Sequence, residues 1–581
     1  MSYILGISAS GHDASACLYD GYHLIAAVPL ERLTRVKSEG GRVPTEAIKE
    51  VLSIGGIEPR DLAAVALSRS HFPIRYFKHD GFPLAHRVRR GIETMTGGAR
   101  TVPMAKEARV GSQADVGKIF HAEKFLRDQG LPEETPLYFY DHHFAHVLPT
   151  LFHSPDWQDA LLFSADGGSE TGYYSMRYFH DGRMDTVIGG EEMLFKDHPV
   201  SSLALAYGFA TLALGYKINR HEGKLTGLAA RGEPKGFEAL RARFKVESSG
   251  EISTSFGTNQ EMSAMIHTLA AGMSPEDMAC TIQKLVEVVV MESMERMVKL
   301  HPTRHLGGSG GLFANVRLNQ VLADSGLFDS VFVCPPMSDQ GIAMGGVLQY
   351  LLERDGLPTW LGERRVLSDM YLGRDYTTAV DEVFGSHAQI SGVSGDPIET
   401  CVDAIIAGDA VGIFTGRMEF GPRALGTRSI IAAPVEAGIN DSLNARMDRS
   451  EFMPFAPVIL EEHADEVLHL PPQSRYSARF MTITCQVREE WKSRIPAVVH
   501  VAGTARPQLI SRDSNPLYYD ILKAYYERTG IPVLVNTSFN VHEEPIINTP
   551  AECLKALVED RVDAVVTTQG FYRAKAKQVA K

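Results

Sequence analysis

This chain of 581 residues exceeds the roughly 250 to 300 residues at which single hydrophobic cores stop growing, so about two to four domains are expected. Lys and Arg total 58 against 71 Asp and Glu, which gives a formal net charge of −13. A net acidic chain has no bulk attraction for nucleic acid or anionic lipid, so we expect neither as a partner. Any phosphate group must therefore be bound in a local pocket.

The cysteines and the apolar segments favour a soluble protein of a reducing compartment. The six cysteines are scattered and form no Cys-x-x-Cys pair, which argues against a disulfide scaffold and a cysteine-based metal site. The first residues contain neither a basic segment nor a long apolar one, so no signal peptide is predicted. Because no run of about 18 apolar residues occurs, we expect no membrane span and a cytoplasmic location.

Short apolar or β-branched runs alternate with helical patterns along most of the chain. The predicted strands lie at residues 3–8, 23–28, 61–67, 136–141, 159–166, 330–334, 409–414 and 532–536, and the helical patterns include 45–55 and 277–300. This alternation is typical of α/β proteins. Gly, Pro and charged residues interrupt the pattern at 352–365. The sequence therefore predicts a first domain over 1–355, a linker and domain junction over 356–395, and a second domain over 396–581.

The first candidate site follows the predicted strand at 136–141. His142 and His146 are spaced so that both imidazoles lie on one helix face and can reach one metal ion. Asp166 and Asp339 each follow a predicted strand and precede small residues, where α/β proteins place metal and phosphate ligands. Two imidazoles and two carboxylates suit Fe²⁺, Mn²⁺ or Zn²⁺. In the alternative interpretation, His142 caps a helix and His146 packs in the core.

Glycine-rich turns in the same domain favour a nucleotide site. Gly167 and Gly168 come directly after Asp166, and a cluster with Gly310 and Gly311 precedes a helix that begins near Asn315. Glycine turns are common in all proteins. Their succession in this order nevertheless favours a two-lobed clamp for a nucleotide.

In the second domain, arginines supply the candidates for an anion site. No lysine occurs between Lys299 and Lys492, a stretch with 14 arginines, for which a GC-rich genome is an alternative explanation. Guanidinium groups bind planar oxyanions through paired hydrogen bonds. The arginines in Gly- and Pro-rich segments are Arg417, Arg423, Arg428, Arg446, Arg449 and Arg506, and Asn536, Ser538 and Asn540 end a predicted buried strand. Structural Arg–carboxylate pairs are the alternative.

A series of short blocks spans about residues 4 to 550. They are Gly11-His12-Asp13-Ala14-Ser15-Ala16, Glu31-Arg32-Leu33-Thr34-Arg35, GGLFANVRLN, MEFGPRALGTRSI, FMPFAP, GTARPQ and NTSFN. In content and order they resemble the NodU/CmcH family of O-carbamoyltransferases. The resemblance implies a two-lobed N-terminal domain of the actin/sugar-kinase superfold, similar to the TsaD tRNA-modifying transferases. It also implies a C-terminal YrdC-like α/β domain.

The resemblance further implies a reaction in two stages. Carbamoyl phosphate and ATP react in the YrdC-like domain to give carbamoyl-adenylate, with loss of pyrophosphate. The intermediate passes inside the protein to the N-terminal domain, where a hydroxyl of a small molecule attacks it beside a divalent metal. That metal is usually iron in the family, with Mn²⁺ and Zn²⁺ as alternatives, and Mg²⁺ is expected with ATP. A homodimer is one oligomeric state compatible with this arrangement.

Residue roles follow from the same motifs. The implied metal ligands are His142, His146, Asp166 and Asp339; the carbamoyl phosphate and ATP site comprises Arg417, Arg423, Arg449, Arg506 and Ser538; the nucleotide site of the first domain comprises Gly167, Gly168, Gly310, Gly311 and Asn315. Glu222 and Lys224 are expected on the acceptor side. His12 falls where the family has a histidine near the acceptor hydroxyl, and could accept its proton. Its alternative role is that of a hydrogen-bonded turn histidine.

Departures from the family pattern leave the acceptor open. Asn444 stands in a segment where many members carry lysine, Ala502 where aspartate is frequent, and Thr226 where methionine is usual. An aminoglycoside, macrolide, cephem, Nod factor or other secondary metabolite would all fit. Two other functions compete: a tRNA threonylcarbamoyl-type modification enzyme, and a non-catalytic actin-like ATPase. The acidic charge gives the first no support, and the second leaves the arginine-rich domain unexplained.

Overall fold

The computed structural model describes residues 2–69, 71–76, 78, 101–103, 120–194, 196, 198–449 and 453–575. The chain divides into two compact units: Met1–Glu31 with Ser38–Val366, and Arg32–Lys37 with Leu367–Lys581. All six cysteines are free, and five of them are buried. Among the described helices, none combines the length and the apolar character that crossing a bilayer requires.

The first unit contains two five-stranded sheets. The first consists of β1 (Tyr3–Ser8), β2 (Ser15–Asp20), β3 (His23–Pro29), β4 (Leu62–Ser68) and β5 (Leu137–Tyr140), in the order β3-β2-β1-β4-β5. Strands β1, β2 and β3 pair antiparallel, whereas β4 lies parallel to β1 and β5 parallel to β4.

The second sheet repeats this topology. It consists of β6 (Ala160–Ala165), β7 (Tyr174–His180), β8 (Arg183–Ile188), β9 (His305–Ser309) and β10 (Ser330–Val333), in the order β8-β7-β6-β9-β10. Again the first three strands pair antiparallel and the last two are parallel. Two sheets of one topology agree with the two-lobed first domain that the resemblance implies, and the predicted α/β class is confirmed.

Besides the helix Ala122–Asp128, eight helices of seven or more residues belong to the described part of the first unit. They are α1 (Thr45–Gly55), α2 (His142–Phe152), α3 (Leu203–Ala213), α4 (Glu222–Leu228), α5 (Asn259–Ala271), α6 (Pro275–Leu300), α7 (Val316–Asp324) and α8 (Ile342–Asp355). Helix α6 begins where the side chain of Ser274 accepts the N–H of Asp277, with Pro275 in its first turn. A Cβ at Gly345 would overlap the carbonyl of Ala145, so glycine is required for α8 to pack this closely on α2.

The second unit is built on one mixed eight-stranded sheet. Its strands are β11 (Ile390–Gly392), β12 (Val411–Phe414), β13 (Arg428–Ala432), β14 (Ala456–Leu460), β15 (Gln508–Ile510), β16 (Val533–Ser538), β17 (Ala564–Val566) and β18 (Phe571–Ala574), in the order β11-β18-β17-β12-β13-β16-β14-β15. The longer helices are Thr377–Ser386, Pro397–Ile406, Ile439–Arg446, Pro516–Thr529 and Pro550–Val558. Apolar side chains of the sheet, among them Val411, Ile431 and Val458, pack against Ile405 and Leu522.

All eight strands predicted from the apolar runs are present, as are both named helices. The segment 356–395, expected to be a linker and domain junction, includes the division between the two compact units after Val366. It contains a helix at Leu357–Gly362, a strand at Tyr371–Asp375 and the helix Thr377–Ser386. Val380 and Phe384 are buried, so these residues contribute to packing although glycines and charges dominate the local pattern.

Candidate metal centre and anion-binding loops

Helix α2 presents two histidines at its first turns. Asp141 caps the helix, because its side chain accepts the N–H of Phe144 at 2.6 Å. The rings of His142 and His146 lie one turn apart with their centroids 4.8 Å from each other. The neighbouring His143 points elsewhere, with Nδ1 2.8 Å from the Ser164 hydroxyl and Nε2 3.1 Å from the Gly172 carbonyl. The sequence prediction of two imidazoles on one face therefore agrees with the structure.

Two carboxylates face these imidazoles. Asp166 Oδ2 lies 2.7 Å from His142 Nε2 and 3.1 Å from His146 Nε2. Asp339 Oδ1 lies 3.5 Å from His146 Nε2 and 3.8 Å from His142 Nε2. One ligand atom from each of the four buried residues lies within 4.8 Å of the others. The structure thus brings all four predicted ligands together, although Asp339 is distant in sequence.

The donor set fits a divalent transition metal. Two imidazole nitrogens and two carboxylate oxygens in a buried cluster suit Fe²⁺, Mn²⁺ or Zn²⁺. Burial alone would lower the pKa of His142, but the adjacent carboxylates of Asp166 and Asp339 raise it to about 10. The imidazolium in turn holds the pKa values of both carboxylates below their usual range, against the effect of burial. Without a cation, protons neutralise this cluster.

This charge balance predicts how metal binding depends on pH. Because folding raises the pKa of His142, protonation of its imidazole stabilises the metal-free fold. This stabilisation is fully present below pH 6.5, the pKa of an unfolded histidine, and is lost as the pH rises toward about 10. The carboxylates, with lowered pKa values, keep their contribution throughout that range. We therefore expect Mn²⁺ to raise the Tm more at about pH 9 than at about pH 6, where it competes with the proton. Thermal unfolding with Mn²⁺ or EDTA tests this; an equal shift at both pH values would contradict it.

A buried ion cluster supports the base of α2. Arg69 donates from Nη2 to Asp141 Oδ2 at 2.9 Å and from Nε to Glu170 Oε1 at 2.9 Å, and it pairs with Glu191 at 2.5 Å. Glu170 Oε1 also accepts the backbone N–H of His142 at 3.3 Å. The cluster therefore fixes the helix start that carries the first imidazole.

His12 and Glu222 are close enough to affect each other's charge, and His12 also interacts with Asp339 of the cluster. His12 Nδ1 is 3.3 Å from Asp13 Oδ2. Burial lowers the pKa of His12, but Asp339 and Asp13 raise it to about 9. Burial raises the pKa of Glu222, and the charge of His12 opposes this, so the two groups are near enough to interact. Lys224 is buried, with Nζ 5.8 Å from the centre of the Tyr216 ring.

His71 is a site residue that the sequence did not reveal. It follows β4, and burial lowers its pKa to about 4, with Asp339, His142 and His12 all contributing to its electrostatic environment. A Cβ on Gly11 would lie 3.9 Å from its Nε2. The only available signal is its position beyond the carboxyl end of a parallel strand, where α/β proteins collect functional side chains.

The glycine turns lie against Asp166. Its Oδ1 accepts the N–H of Gly168 at 2.8 Å, and a Cβ on Gly311 would lie 3.9 Å from the Asp166 Cβ. Gly310 has φ +87° and leaves no room for a Cβ beside the backbone of Ala165. The four predicted glycines, Gly167, Gly168, Gly310 and Gly311, therefore border the metal cluster.

Asn315 has a different environment. Its Oδ1 accepts the N–H of Leu318 at 3.0 Å, which caps α7, and its Nδ2 donates to Gln283 Oε1 at 2.9 Å. Both polar atoms of this buried amide already have protein partners, which favours a structural role over direct contact with a nucleotide.

In the second unit, the predicted anion residues lie at one end of the eight-stranded sheet. Ser429 pairs with Ser538 in the antiparallel strands β13 and β16, and Asn536 pairs with Ala456 at the start of β14. Arg506 lies between Ala505 and the strand β15, which is the parallel neighbour of β14. The loops that precede β13, β14 and β15 and follow β16 therefore meet at the same edge.

Arg449 and Ser538 are in direct contact. Arg449 donates to Thr537 Oγ1 at 2.9 Å, to the Ser538 carbonyl at 2.6 Å and to the Asn540 carbonyl at 2.7 Å. Its Nη2 also lies 3.3 Å from Ser538 Oγ. One guanidinium thus organises the turn that follows β16.

Arg423 and Arg417 differ in their partners. Arg423 makes no hydrogen bond or ion pair with any residue the structure describes, and burial without a counter-charge lowers its pKa. Such a cation favours an anion as its partner. Arg417 instead donates to the carbonyls of Gly373 at 2.9 Å and Leu372 at 2.8 Å, which pins it to the strand Tyr371–Asp375.

Arg428 and Glu419 shape the loop that carries Arg423. Arg428 is fully buried and donates to the carbonyls of Thr415 at 2.6 Å and Thr427 at 2.8 Å, so it is structural rather than an anion ligand. Glu419 Oε1 accepts the N–H groups of Leu425, Thr427 and Arg428 at 3.0, 2.9 and 2.9 Å. The sequence analysis missed Glu419, whose role depends on the folded loop.

Known proteins share both parts of this chain. The family described as Carbamoyltransferase N-terminus matches residues 3–348, and Carbamoyltransferase C-terminus matches 402–573. The chain is 29% identical to nodulation protein NolNO of Sinorhizobium fredii over 97% of this chain and 79% of that protein. It is 33% identical to nodulation protein NolO of Bradyrhizobium diazoefficiens over 73% of this chain and 77% of that protein. With nodulation protein U of Sinorhizobium fredii it shares 33% identity over 53% and 52%, respectively.

Proposed function

This chain belongs to the carbamoyltransferase family, and from that premise we propose that it is an ATP-dependent O-carbamoyltransferase. Carbamoyl phosphate, ATP and water give carbamoyl-adenylate, pyrophosphate and inorganic phosphate in the second unit. The first unit then transfers the carbamoyl group to a hydroxyl of a small-molecule acceptor, a secondary metabolite, and AMP is released. Atoms balance over the two stages.

The assignment of the two reaction stages to different units is supported most by the different side chains at their two candidate sites. The second unit contains Arg423 without a carboxylate partner, and Arg449 in contact with Ser538. These groups suit the phosphates of carbamoyl phosphate and ATP, which the acidic chain as a whole would repel. Arg417 and Arg506 belong to the same proposed site. Mg²⁺ is expected to accompany ATP.

The first unit offers the groups needed for acyl transfer to an alcohol. His142, His146, Asp166 and Asp339 would hold a divalent ion, with iron as our proposal and Mn²⁺ or Zn²⁺ as alternatives. When bound there, such an ion would act as a Lewis acid and polarise the carbamoyl oxygen. A bound cation would offset the charge of Asp339 that raises the pKa of His12. The neutral imidazole of His12 then accepts the proton of the acceptor hydroxyl, whose oxygen attacks the carbamoyl carbon. Glu222 and Lys224 orient the acceptor, and the glycine turns around Gly167 and Gly310 receive the adenylate.

Pyrophosphate release tests the proposed first stage. With ATP and carbamoyl phosphate, the purified chain is expected to release pyrophosphate only when both substrates are present, and excess tRNA is expected to leave the rate unchanged. Pyrophosphate is measured in a coupled colorimetric assay. Nucleotide binding without pyrophosphate release would instead support a non-catalytic actin-like ATPase. Strong inhibition by tRNA would support a tRNA-modifying enzyme.

A further inference from the structure

The early segment Arg32–Lys37 belongs to the second unit, although the residues on either side of it belong to the first. Arg32 is 1% exposed. Its Nη2 donates to the Gly421 carbonyl at 2.6 Å and its Nη1 to the Ile546 carbonyl at 3.4 Å. One guanidinium therefore bridges two loops of the second unit that are far apart in sequence.

Arg35 reinforces this bridge. It donates from Nη2 to the Pro545 carbonyl at 2.7 Å and from Nη1 to the Ile546 carbonyl at 2.8 Å. Its Nη1 also lies 3.5 Å from Glu552 Oε2. The backbone of Arg35 has φ +64°, an unusual conformation for a residue with a side chain. Arg35 thus adopts this backbone conformation at a position where its side chain contacts three acceptors: two carbonyls and the carboxylate of Glu552.

The bridged loops are the ones that carry the candidate anion ligands. Gly421 precedes Arg423 by two residues in the loop folded around Glu419. After Ile546, the N–H of Ile547 donates to the Phe539 carbonyl at 2.9 Å, next to Ser538.

The turn between these points is closed by Asn540. Its Nδ2 donates to the carbonyls of Val541 and Glu544, both at 2.9 Å, while its own carbonyl accepts Arg449. The segment from Ser538 to Ile547 is therefore a connected hydrogen-bonded unit. A group that holds Ile546 in place also holds Ser538 and the partners of Arg449.

We propose that Arg32, assisted by Arg35, is a positioning residue for the carbamoyl phosphate and ATP site of the second unit. It holds the Arg423 loop and the Ser538 turn at a fixed separation, so that both can contact one anion. The forked guanidinium suits this task, because it donates to two carbonyls in a fixed geometry that a single ammonium cannot reproduce. This inference rests on the proposed function of that site, and it assigns a role to the Glu31–Arg35 motif.

The kinetic test compares Arg32→Met with Arg32→Lys in the full chain. In carbamoyl-phosphate-dependent pyrophosphate release, Arg32→Met is expected to raise the KM for carbamoyl phosphate by about ten- to a hundredfold, the order expected for lost hydrogen bonds of a charged group. The kcat is expected to change less, and Arg32→Lys to recover part of the loss. Arg42→Met is the matched control, because the ion pairs of Arg42 with described residues are those with Glu39 and Glu46, neither of which belongs to the second unit. An unchanged KM, or a loss of stability and kcat at constant KM, would overturn the positioning role.

Hydrogen exchange separates this inference from the proposed function. Amides of residues 421–428 and 538–547 are expected to exchange faster in Arg32→Met than in the wild-type chain, whether or not pyrophosphate is released. If the amide exchange rates of both segments are the same in Arg32→Met and the wild-type chain, Arg32 does not hold the two loops together. A wild-type chain that releases no pyrophosphate would refute the proposed reaction but not this role of Arg32. If Arg32→Met does not fold, Arg35→Met serves instead, since its side chain is 26% exposed and its removal leaves no comparable cavity.

Discussion

Replacing His142 with alanine is expected to abolish carbamoyl transfer to the acceptor while pyrophosphate release continues. The imidazole lies 2.7 Å from Asp166, and its loss leaves three of the four ligands of the cluster. We expect transfer to fall by at least about a hundredfold, the upper range for disturbed metal sites. The arginine loops proposed to bind carbamoyl phosphate belong to the other compact unit. Acceptor carbamoylation by mass spectrometry, pyrophosphate release and bound metal are measured on the same preparation.

His267→Ala is the matched control for this experiment. His267 is exposed on α5, and within the described part of the chain its ring forms hydrogen bonds with Ser263 alone. Its replacement is expected to leave both activities and the metal content unchanged. Were both activities of His142→Ala lost in a folded protein, the proposed division of labour between the units would be wrong.

Replacing Arg423 with methionine is expected to impair the first stage of the reaction and to leave the metal site intact. Pyrophosphate release should fall by about a hundred- to a thousandfold, as when a positioned donor to a developing charge is removed. Metal content should stay the same. Because Arg423 is partly buried and has no counter-charge among the described residues, its removal is expected to leave the Tm unchanged or to raise it. Rates, bound metal and thermal unfolding test these three expectations.

Arg512→Met provides the comparison within the same unit. Arg512 is 68% exposed and pairs with Asp520 at 2.9 Å, an arrangement of little consequence for stability. Its replacement should alter neither rate nor Tm. A marked fall in the Tm of Arg423→Met would show that this arginine is structural, as Arg428 is, and would remove it from the proposed anion site.

The local pattern was sufficient to predict the strands and to single out the histidines and aspartates that the fold brings together as a candidate metal site. Alternation and helical spacing placed β1, β6 and α2, and the spacing of His142 and His146 put both rings on one face. The short elements within 356–395 were not predicted, because a strand such as Tyr371–Asp375 forms by pairing with a distant strand, Arg417–Glu419. Local propensity contains no information about such a partner.

The sequence by itself determined the family, the α/β class and which residue types could bind a metal or an anion. Only the tertiary structure showed that residues of the same type have different partners and therefore different roles. Arg423 lies in the loop before β13 and Arg428 begins that strand, and their sequence surroundings are similar. Arg428 nevertheless donates to carbonyl groups, whereas Arg423 has no partner among the described residues. Arg32 belongs to the unit formed mainly by the distant half of the chain. Spacing along the chain controls helix faces and strand alternation, whereas the partner of a side chain depends on how sheets and loops pack.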